Sequence, residues 1–307
     1  MSKRIVVVGS SNTDMTIHVG RLPDPGETVI GDSFSMAPGG KGANQAVAAA
    51  RAGGDVTFIA RVGDDQFGEQ AIMGFARDNI NVDHVIKDAD APSGVALICV
   101  DEAGENSIAV ASGANAKLSP ADVEAAREVI KSADVLVMQL EIPLETIQAA
   151  IAIAAEHRVK IILNPAPAQL LSDDILRHIS VLTPNESEAE LLTGIAVTGE
   201  SDARMAGCAL VARGVETVLI TLGAGGVFAS NSSCGGLVAG FEVRAVDTTA
   251  AGDVFNGALA VAIAEGASMR EAIVFANAAG ALSVTRMGAQ PSAPKRNEID
   301  DFLNDRQ

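Results

Sequence analysis

The sequence predicts an α/β fold in which helices cover both faces of a mostly parallel sheet. Strand-like apolar runs alternate with Ala-rich segments of helical character, and helix-start signals fall between them. This alternation is typical of parallel sheets, because each strand must be joined to the next by a long crossover, usually a helix. The predicted strands lie at residues 5–9, 56–62, 135–140, 160–164, 181–183 and 217–221.

Helix-start signals support this division of the chain. Ser119 is followed by a proline and by Asp122, and Ser268 lies three residues before Glu271, which is the spacing of a capping box. In such a box the serine hydroxyl and the acidic side chain satisfy backbone N–H groups that the helix leaves free. The chain has no internal repeat and no linker-like tract, and its 307 residues suit either one large α/β domain or two domains.

Two segments break the alternation, at residues 15–36 and 93–112. In the second, apolar runs at 94–100 and 107–110 flank a polar turn at 101–106, which predicts a β-hairpin. Both faces of the hairpin are apolar, so each face must be shielded from water by another part of the protein or by a ligand. A lid that closes over a ligand and also pairs with a second subunit would supply both covers. The alternative is that these strands extend the main sheet.

Composition excludes several classes of function. The chain has 22 Lys and Arg against 39 Asp and Glu, and its net charge of −17 would repel a nucleic acid backbone. A mononucleotide is still compatible with this charge, because a helix N-terminus can bind a small anion. No apolar run reaches the ~18 residues needed to span a membrane. With no Trp, no Tyr and nine Phe, we expect hydrogen bonds rather than ring stacking to hold a substrate.

Cysteine and histidine usage points to a cytoplasmic protein without a transition-metal site. Cys99, Cys208 and Cys234 are far apart and form no CxxC pair, and the four histidines are scattered. The N-terminal apolar run stops at a turn after Gly9 and is too short for a signal peptide. It is therefore predicted to be the first buried strand.

The most informative segment is DTTAAGDVFNG at residues 247–257. It places small residues and a carboxylate at the start of a predicted apolar helix, after a predicted strand at 241–246. The first N–H groups of this helix, at residues 250–252, could bind phosphate oxygens. Asp253, held ionised by the same helix dipole, could accept a proton from an attacking hydroxyl. The alternative is that Asp253 is only an N-cap and Gly252 only a turn residue.

Two polar motifs follow the first predicted strand. Asn12, Thr13 and Asp14 lie where open α/β sheets bind ligands, although such a run is also a common turn. The sequence PGGKGANQ then opens a predicted helix, and its glycines would let a ligand approach the backbone. Lys41 and Asn44 of this loop could reach a hydroxyl or a phosphate. Neither a Walker A nor a GxGxxG motif is present.

Later strand ends also carry polar or Gly-rich segments. Glu141 follows the third predicted strand, and Asn185 with Glu188 follows the fifth, at the edge where open sheets place their active sites. Asn185 and Glu188 could instead simply start a helix. The sequence TLGAGG from Thr221 to Gly226 could form a wall against a ribose or a phosphate, or a tight hairpin turn.

In this order along the chain, these motifs resemble the ribokinase branch of the pfkB carbohydrate kinase family. The resemblance covers essentially the whole chain and is carried by GGKGANQ at 39–45 and DTTAAGD at 247–253 with the following FNG, and by NPAP at 164–167 and TPNE at 183–186. It implies that residues 1–307 form a single domain, with a Rossmann-like, three-layer α/β/α core and a small antiparallel β lid. This lid would pair with the lid of a second subunit to form a homodimer. The resemblance also implies ATP-dependent phosphorylation of D-ribose at O5, with Mg²⁺ on the ATP phosphates and K⁺ as an activator.

The resemblance implies roles for individual residues. Asp253 would be the base, and the anion hole would consist of Ala250, Ala251 and Gly252. The sugar would be bound by Asn12, Thr13, Asp14, Gly40, Lys41, Gly42, Ala43, Asn44 and Glu141, together with Asp253. ATP would lie along Asn185, Thr221, Leu222, Gly223, Ala224, Gly225, Gly226, Gly252, Asp253 and Asn277. The potassium site would involve Asp247, Thr249, Ser283, Arg286, Gly288 and Ser292, and Glu188 would support Mg²⁺ through water.

One position of this chain departs from the sequence pattern of the family. Some relatives carry a larger polar or basic side chain where this chain has Gly225, which leaves the phosphate contacts of that loop undetermined.

The acceptors that the sequence leaves open, besides ribose, are 2-deoxyribose, fructose or another ketose. Adenosine is disfavoured because a nucleoside would call for aromatic stacking. A non-catalytic sugar- or nucleotide-binding regulator is the alternative of another class, and the presence of Asp253 argues against it.

Overall fold

The structure is a computed structural model that describes residues 3–232 and 235–306. In chain order its strands are β1 (Arg4–Val8), β2 (Asn12–Val19), β3 (Gly31–Gly39), β4 (Asp55–Gly63), β5 (Asn81–Asp88), β6 (Gly94–Val100), β7 (Asn106–Ala111), β8 (Val135–Met138), β9 (Lys160–Leu163), β10 (Val181–Leu182), β11 (Thr217–Thr221), β12 (Val227–Asn231) and β13 (Gly235–Val238). Its helices are α1 (Lys41–Arg51), α2 (Gln66–Arg77), α3 (Pro120–Ala125), α4 (Arg127–Lys131), α5 (Leu144–Glu156), α6 (Asp173–Leu176), α7 (Glu186–Thr193), α8 (Glu200–Ala212), α9 (Ala251–Ala264), α10 (Met269–Ser283) and α11 (Arg296–Asn304).

The larger sheet confirms the predicted parallel core. Among the described residues it has nine strands in the order β13-β12-β11-β10-β9-β8-β1-β4-β5, in which the pairs β11–β12 and β12–β13 are antiparallel and the other six pairs are parallel. All six strands predicted from the sequence are present, as β1, β4, β8, β9, β10 and β11. Strand β5 was not predicted, because this edge strand mixes polar and apolar residues and lacks the apolar run of a central strand.

Helices pack on both faces of this sheet, so the core has three layers. Alternate residues of a strand point to opposite faces. Accordingly Ile5 and Val7 of β1 belong to the apolar cluster that includes α1, α9 and α10, whereas Val6 and Val8 belong to the cluster that includes α5 and α8. The capping boxes predicted at the starts of α3 and α10 are both present.

The lid is a separate four-stranded sheet in the order β3-β2-β6-β7, so the alternative that its strands extend the main sheet is wrong. β2–β3 and β6–β7 pair antiparallel, as expected, but β2 and β6 pair in parallel. This parallel pair has a simple cause. β2 follows β1 and β6 follows β5, and since β1 and β5 run in the same direction, both lid strands leave the core at the same edge.

The segment at residues 241–246, predicted as a strand, pairs with no strand in the described part of the chain. Phe241 packs edge to face against Phe302 of α11, with ring centroids 5.2 Å apart. The N–H of Val246 donates to the carbonyl oxygen of Val284, at the end of α10, at 2.7 Å. The prediction was wrong because the apolar residues belong to a loop that lies against helices.

No helix within the described residues is both long and apolar enough to cross a bilayer. Cys99 and Cys208 are free thiols, and Cys234 lies outside the described residues.

Candidate active site

The predicted anion-binding turn begins helix α9. Ala250, the residue before the helix, has φ 59° and ψ 13°, a left-handed conformation that is uncommon without glycine. The first N–H groups of α9 have no partner within the helix and lie at the positive end of its dipole. Asp253 is the third residue of the helix and not the residue before it. The alternative that Asp253 is only an N-cap is therefore wrong.

The carboxylate of Asp253 is buried and held by two amides of α1. Asn44 Nδ2 donates to its Oδ2 at 2.9 Å, and Gln45 Nε2 donates to its Oδ1 at 2.9 Å. Only 6% of Asp253 is exposed. A carboxylate fixed in this way can take a proton from a hydroxyl group placed against it.

Helices α1 and α9 approach closely enough for these contacts because residue 257 is glycine. A Cβ atom at Gly257 would lie 2.6 Å from the Cβ of Ala48, and 2.7 Å from both the nitrogen of Ala49 and the carbonyl oxygen of Gln45. No other residue fits without moving one of the helices. The sequence FNG that follows the predicted motif thus sets the distance between Asp253 and the amides of α1.

The pKa of Asp253 differs from the sequence expectation. The helix dipole was expected to hold Asp253 ionised, but in the structure burial dominates and raises the pKa of its carboxyl above the ordinary value. The Lys41 ammonium and the hydrogen bonds from Asn44 and Gln45 oppose this shift. A raised pKa makes the carboxylate a stronger proton acceptor once it is ionised.

A second acid, the half-buried Asp14, faces the same site from lid strand β2. Burial, followed by the neighbouring carboxylates of Glu141 and Asp253, raises the pKa of Asp14 to about 6. Lys41 partly opposes this effect. Several acids therefore converge on one lysine, at the edge where the sequence predicted ligand binding.

Glu141 anchors the start of α1. Its Oε2 accepts from the hydroxyl of Ser10 at 2.5 Å and from the backbone N–H of Lys41 at 3.0 Å. Burial alone would lower the pKa of the Lys41 ammonium, but nearby carboxylates, Asp253 first among them, hold it above its ordinary value. Lys41 is therefore charged at neutral pH and can attract a phosphate group.

Two neighbouring cavities meet at the start of α9. The smaller has a volume of about 210 Å³, and Lys41, Glu188 and Asp253 are among the residues that line it. The larger, of about 590 Å³, runs between the turn after β11 and helix α10. The walls of the two cavities have in common Thr221, Thr248, Ala251 and Gly252. A phosphate group at this junction would be reached from both cavities.

The predicted nucleotide-binding residues lie on these cavities, with the exception of Leu222. Leu222 packs against the apolar core, and its N–H closes the turn by donating to the carbonyl oxygen of Gly226 at 2.8 Å. The turn joins the antiparallel strands β11 and β12, so it is a hairpin turn as well as a cavity wall. The larger cavity is lined by Thr221, Gly223, Ala224, Gly225, Gly226, Gly252 and Asn277, and the smaller by Asn185, Thr221, Gly252 and Asp253.

Asn185 and Glu188 form the capping box of α7. Asn185 Oδ1 accepts from the N–H of Glu188 at 2.8 Å, and Glu188 Oε2 accepts from the N–H of Asn185 at 2.9 Å. They do start a helix, as the alternative interpretation held, but both also line the smaller cavity. Burial raises the pKa of Glu188, although the hydrogen bond from Asn185 opposes the shift.

Some of the predicted sugar-binding residues turn their side chains toward the site, and others do not. Asn12 and Asp14 share one face of β2, whereas Thr13 between them points to the other face. Ala43 is fully buried in the apolar core. Gly42 packs against the backbone at Ser10, where a Cβ atom would lie 2.5 Å from the nitrogen. The structure therefore brings Asn12 and Asp14 together, but it leaves the side chains of Thr13 and Ala43 away from the site.

Asn12 is held by a residue that the sequence did not single out. Asn115 Nδ2 donates to Asn12 Oδ1 at 2.7 Å, and Asn115 Oδ1 accepts from the N–H of Ser11 at 2.9 Å. Gly40 lies beside them with φ 86°, where a Cβ atom would come within 2.7 Å of the Asn12 nitrogen. Asn115 sits in a short 3₁₀ turn without any recognisable motif, so no local signal could have identified it.

Two of the residues predicted for potassium binding, Thr249 and Gly288, contact a third, Asp247. Its Oδ1 accepts from the N–H of Thr249 at 2.9 Å, and its Oδ2 accepts from the N–H of Gly288 at 2.8 Å. Burial alone would raise the pKa of Asp247, but these hydrogen bonds outweigh it and lower the pKa. The hydroxyls of Ser283 and Ser292 donate to backbone carbonyls.

Arg286, the sixth residue predicted for this site, forms an ion pair with Glu298. Among the described residues, no three His, Cys, Asp or Glu side chains form a group that could hold a metal ion.

Comparison with known proteins identifies the family. Residues 2–296 match the family model described as pfkB family carbohydrate kinase. The chain belongs to the pfkB family of carbohydrate kinases. This confirms the resemblance stated from the motifs, and it confirms the predicted enzyme class, an ATP-dependent carbohydrate kinase.

Similar members of this family carry related names. A ribokinase of Haemophilus influenzae is 48% identical over 303 residues, which cover 99% of both chains. A deoxyribokinase of Salmonella typhimurium is 37% identical, with 98% of both chains covered. Among solved structures, Arabidopsis thaliana ribokinase complexed with ribose and ATP aligns with a TM-score of 0.92 at 32% identity over 99% of both chains. The predicted fold class is confirmed by this likeness.

Proposed function

We propose that this pfkB kinase phosphorylates D-ribose at O5 with ATP, giving D-ribose 5-phosphate and ADP. The observation that carries the proposal is the position of Asp253, a buried carboxylate in the first turn of α9, where the two cavities meet. The similarity to the Haemophilus ribokinase and to the Arabidopsis complex with ribose and ATP supports the choice of substrates.

In the proposed reaction, Asp253 takes the proton of the O5 hydroxyl as O5 forms a bond to the γ-phosphorus of ATP. The bond between that phosphorus and the bridging oxygen breaks at the same time, and its electron pair leaves with ADP. The turn of Ala250, Ala251 and Gly252 would stabilise the charge on the transferred group through its N–H groups. Because the transition state of such transfers is loose, positioning and charge neutralisation provide most of the acceleration.

An unpaired acceptor in the site supports a polyol substrate. Asn44 uses its Nδ2 on Asp253, but its Oδ1 is buried and has no hydrogen-bond partner among the described residues. Buried acceptors are rarely left unpaired, so a sugar hydroxyl is a suitable donor for this oxygen. Asn12 and Asp14 from the lid, with Glu141 and Lys41 from the core, would bind the remaining hydroxyls.

ATP would occupy the larger cavity and place its phosphates over the start of α9. The space in front of this turn is open, because a Cβ atom at Gly252 would meet nothing within 4 Å. Magnesium, when bound, would neutralise phosphate charge, and Glu188 would support it through water. Potassium would lie near Asp247, held mostly by backbone carbonyls.

The outer face of the lid is the proposed dimer interface. Phe34, Met36 and Leu97 lie on this face with Met15 and Ile17, as the strand register shows, and the first three are exposed. The opposite face of the lid carries Asp14. A second lid packed on the apolar face would remove it from water while each lid covers its own site. We also propose that the protein acts in the cytoplasm.

The test is a coupled assay of ADP release with Mg-ATP and either D-ribose, 2-deoxyribose, fructose or adenosine, with and without potassium. Turnover that requires ribose and rises with potassium would support the substrate and the ion site together. A preference for 2-deoxyribose or a ketose would refute ribose as substrate but keep a sugar kinase. Absence of turnover with every sugar would contradict the proposed reaction.

A further inference from the structure

We propose that Gln45 is a positioning residue for Asp253, and that Asn164 and Gln139 fix its orientation. The inference builds on the proposed function, in which Asp253 accepts the O5 proton. It concerns a side chain that need not touch either substrate. Gln45 is 0% exposed, and it lies on α1 next to Asn44.

All hydrogen-bonding groups of the Gln45 amide are used. Its Nε2 donates to Asp253 Oδ1 at 2.9 Å and to Asn164 Oδ1 at 3.2 Å. Its Oε1 accepts from Gln139 Nε2 at 2.7 Å. An amide that is held at both ends cannot rotate without breaking more than one of these bonds.

A backbone carbonyl determines which end of the Gln45 amide faces Asp253. Asn164 Nδ2 donates to the carbonyl oxygen of Thr183 at 3.1 Å. A carbonyl oxygen can only accept, so Asn164 must turn its own Oδ1 toward Gln45. Gln45 must then present its Nε2, which is the group that also donates to Asp253.

Gln139 enforces the same orientation from the opposite side. It follows β8 and donates to the Oε1 of Gln45, while its own Oε1 is buried without a hydrogen-bond partner among the described residues. An unpaired buried oxygen destabilises a fold and calls for a reason. Here the reason is the position of Gln45. If the Gln139 amide were reversed, its Oε1 would face the Oε1 of Gln45, and two acceptors would then lie against each other.

This arrangement favours the ionised form of Asp253. A protonated carboxyl would need an acceptor, but the only group that Gln45 turns toward Asp253 is an N–H donor. The hydrogen bond from Gln45 therefore acts against burial, which raises the pKa of Asp253. It also fixes the carboxylate plane, so that one oxygen stays aligned with the incoming hydroxyl.

The experiment compares Gln45→Met and Gln139→Met with Gln148→Met as a matched control on the exposed face of α5. Methionine keeps approximately the length of the side chain but removes the amide. Gln139→Met leaves Asp253 and all its direct partners in place, so it tests orientation even if Gln45→Met folds poorly. Thermal unfolding of each variant reports on folding.

For Gln45→Met we expect kcat to fall about 10- to 100-fold at neutral pH, the range of a lost hydrogen bond to a charged group. The acid limb of the pH profile of kcat should move to higher pH, and the affinities for ribose and ATP should stay nearly unchanged. A carboxyl ¹³C titration of Asp253, assigned with Asp253→Asn, should show a raised pKa in Gln45→Met. Gln139→Met should shift both measurements in the same direction but less, and Gln148→Met should shift neither.

An unshifted pH profile and titration in a folded Gln45→Met protein would overturn the inference. So would a further loss of activity when Gln45→Met is added to Asp253→Asn, because a residue that acts through Asp253 has nothing left to position there. The proposed function fails separately, if the unmodified protein does not phosphorylate sugars or if Asp253→Asn keeps full turnover. The ¹³C titration does not depend on activity, so it tells the two failures apart.

Discussion

Gly257 on α9 lies so close to Ala49 on α1 that a Cβ atom at Gly257 would come within 2.7 Å of the Ala49 nitrogen. This contact sets the separation of the two helices that carry Asp253 and its amide partners. It links the packing of the core directly to the geometry of the site.

Gly257→Ala is therefore expected to damage both stability and activity. Overpacking at such a contact destabilises by about 1–3 kcal/mol, and the helix shift would lengthen the hydrogen bonds from Asn44 and Gln45 to Asp253. Chemical denaturation and kcat would measure the two effects. The control is Gly74→Ala in α2, where a Cβ atom would meet nothing and helix propensity predicts a gain of about 0.5–1 kcal/mol. Equal effects at the two positions would refute the role of the close contact.

Asp253→Asn should lower kcat by about 10² or more, the range of a lost general base, because the amide cannot take the O5 proton. The affinity for ribose should change by less than an order of magnitude, since the side chain keeps its size. Initial-rate kinetics together with calorimetric binding of ribose would measure both quantities. Asp174→Asn on the exposed surface of α6 serves as control. Retained turnover in a folded Asp253→Asn protein would rule out the proposed base.

Asp14→Asn should stabilise the protein at neutral pH while weakening sugar binding. The pKa of Asp14 is raised to about 6 in the fold, so above pH 6 the ionised carboxylate lowers the free energy of unfolding by its full amount. This penalty disappears as the pH falls through 6 to the ordinary pKa of an aspartate, because the carboxyl is then protonated in both the folded and the unfolded state. The substitution should raise the free energy of unfolding by about 1–3 kcal/mol at pH 8, and the gain should shrink between pH 6 and pH 4. Denaturation at several pH values tests this.

The exposed Asp32→Asn provides the comparison for Asp14→Asn, because it removes the same negative charge from an acidic protein without changing a group of the site. The raised pKa of Asp14 would be contradicted if Asp14→Asn stabilised the protein no more than Asp32→Asn, or if its stabilising effect did not depend on pH.

Leu97→Asp on the outer face of the lid should convert a dimer into monomers. The exposed apolar residues of this face would bury against a second lid, and an unpaired charge there would oppose association. Sedimentation at several protein concentrations would measure the oligomeric state. Leu170→Asp, at another exposed leucine outside the lid, should leave it unchanged. A monomeric unmodified protein, or a dimer that persists in Leu97→Asp, would exclude the lid as interface.

Short-range patterns explain what could be predicted from the sequence. The structure contains the predicted apolar strands β1 and β8 and the predicted serine caps of α3 and α10. Each of these features depends on residues that are close together in the sequence. The same kind of pattern gave a wrong prediction at residues 241–246. This apolar segment was predicted as a strand, but it lies against helices, where Phe241 packs on Phe302. Thr13 and Ala43 were included with their motifs, but strand alternation and core packing turn their side chains away from the site.

By itself the sequence determined the parallel core, the lid hairpin and the segment that carries Asp253, because each depends on residues close together in the chain. Only the tertiary structure decided how that carboxylate is held and how its pKa and that of Asp14 are raised. Gln139 lies 94 residues from Gln45, and Asp253 lies 208 residues from it. Burial and hydrogen bonds between such distant residues exist only after the chain has folded, so no local pattern encodes them.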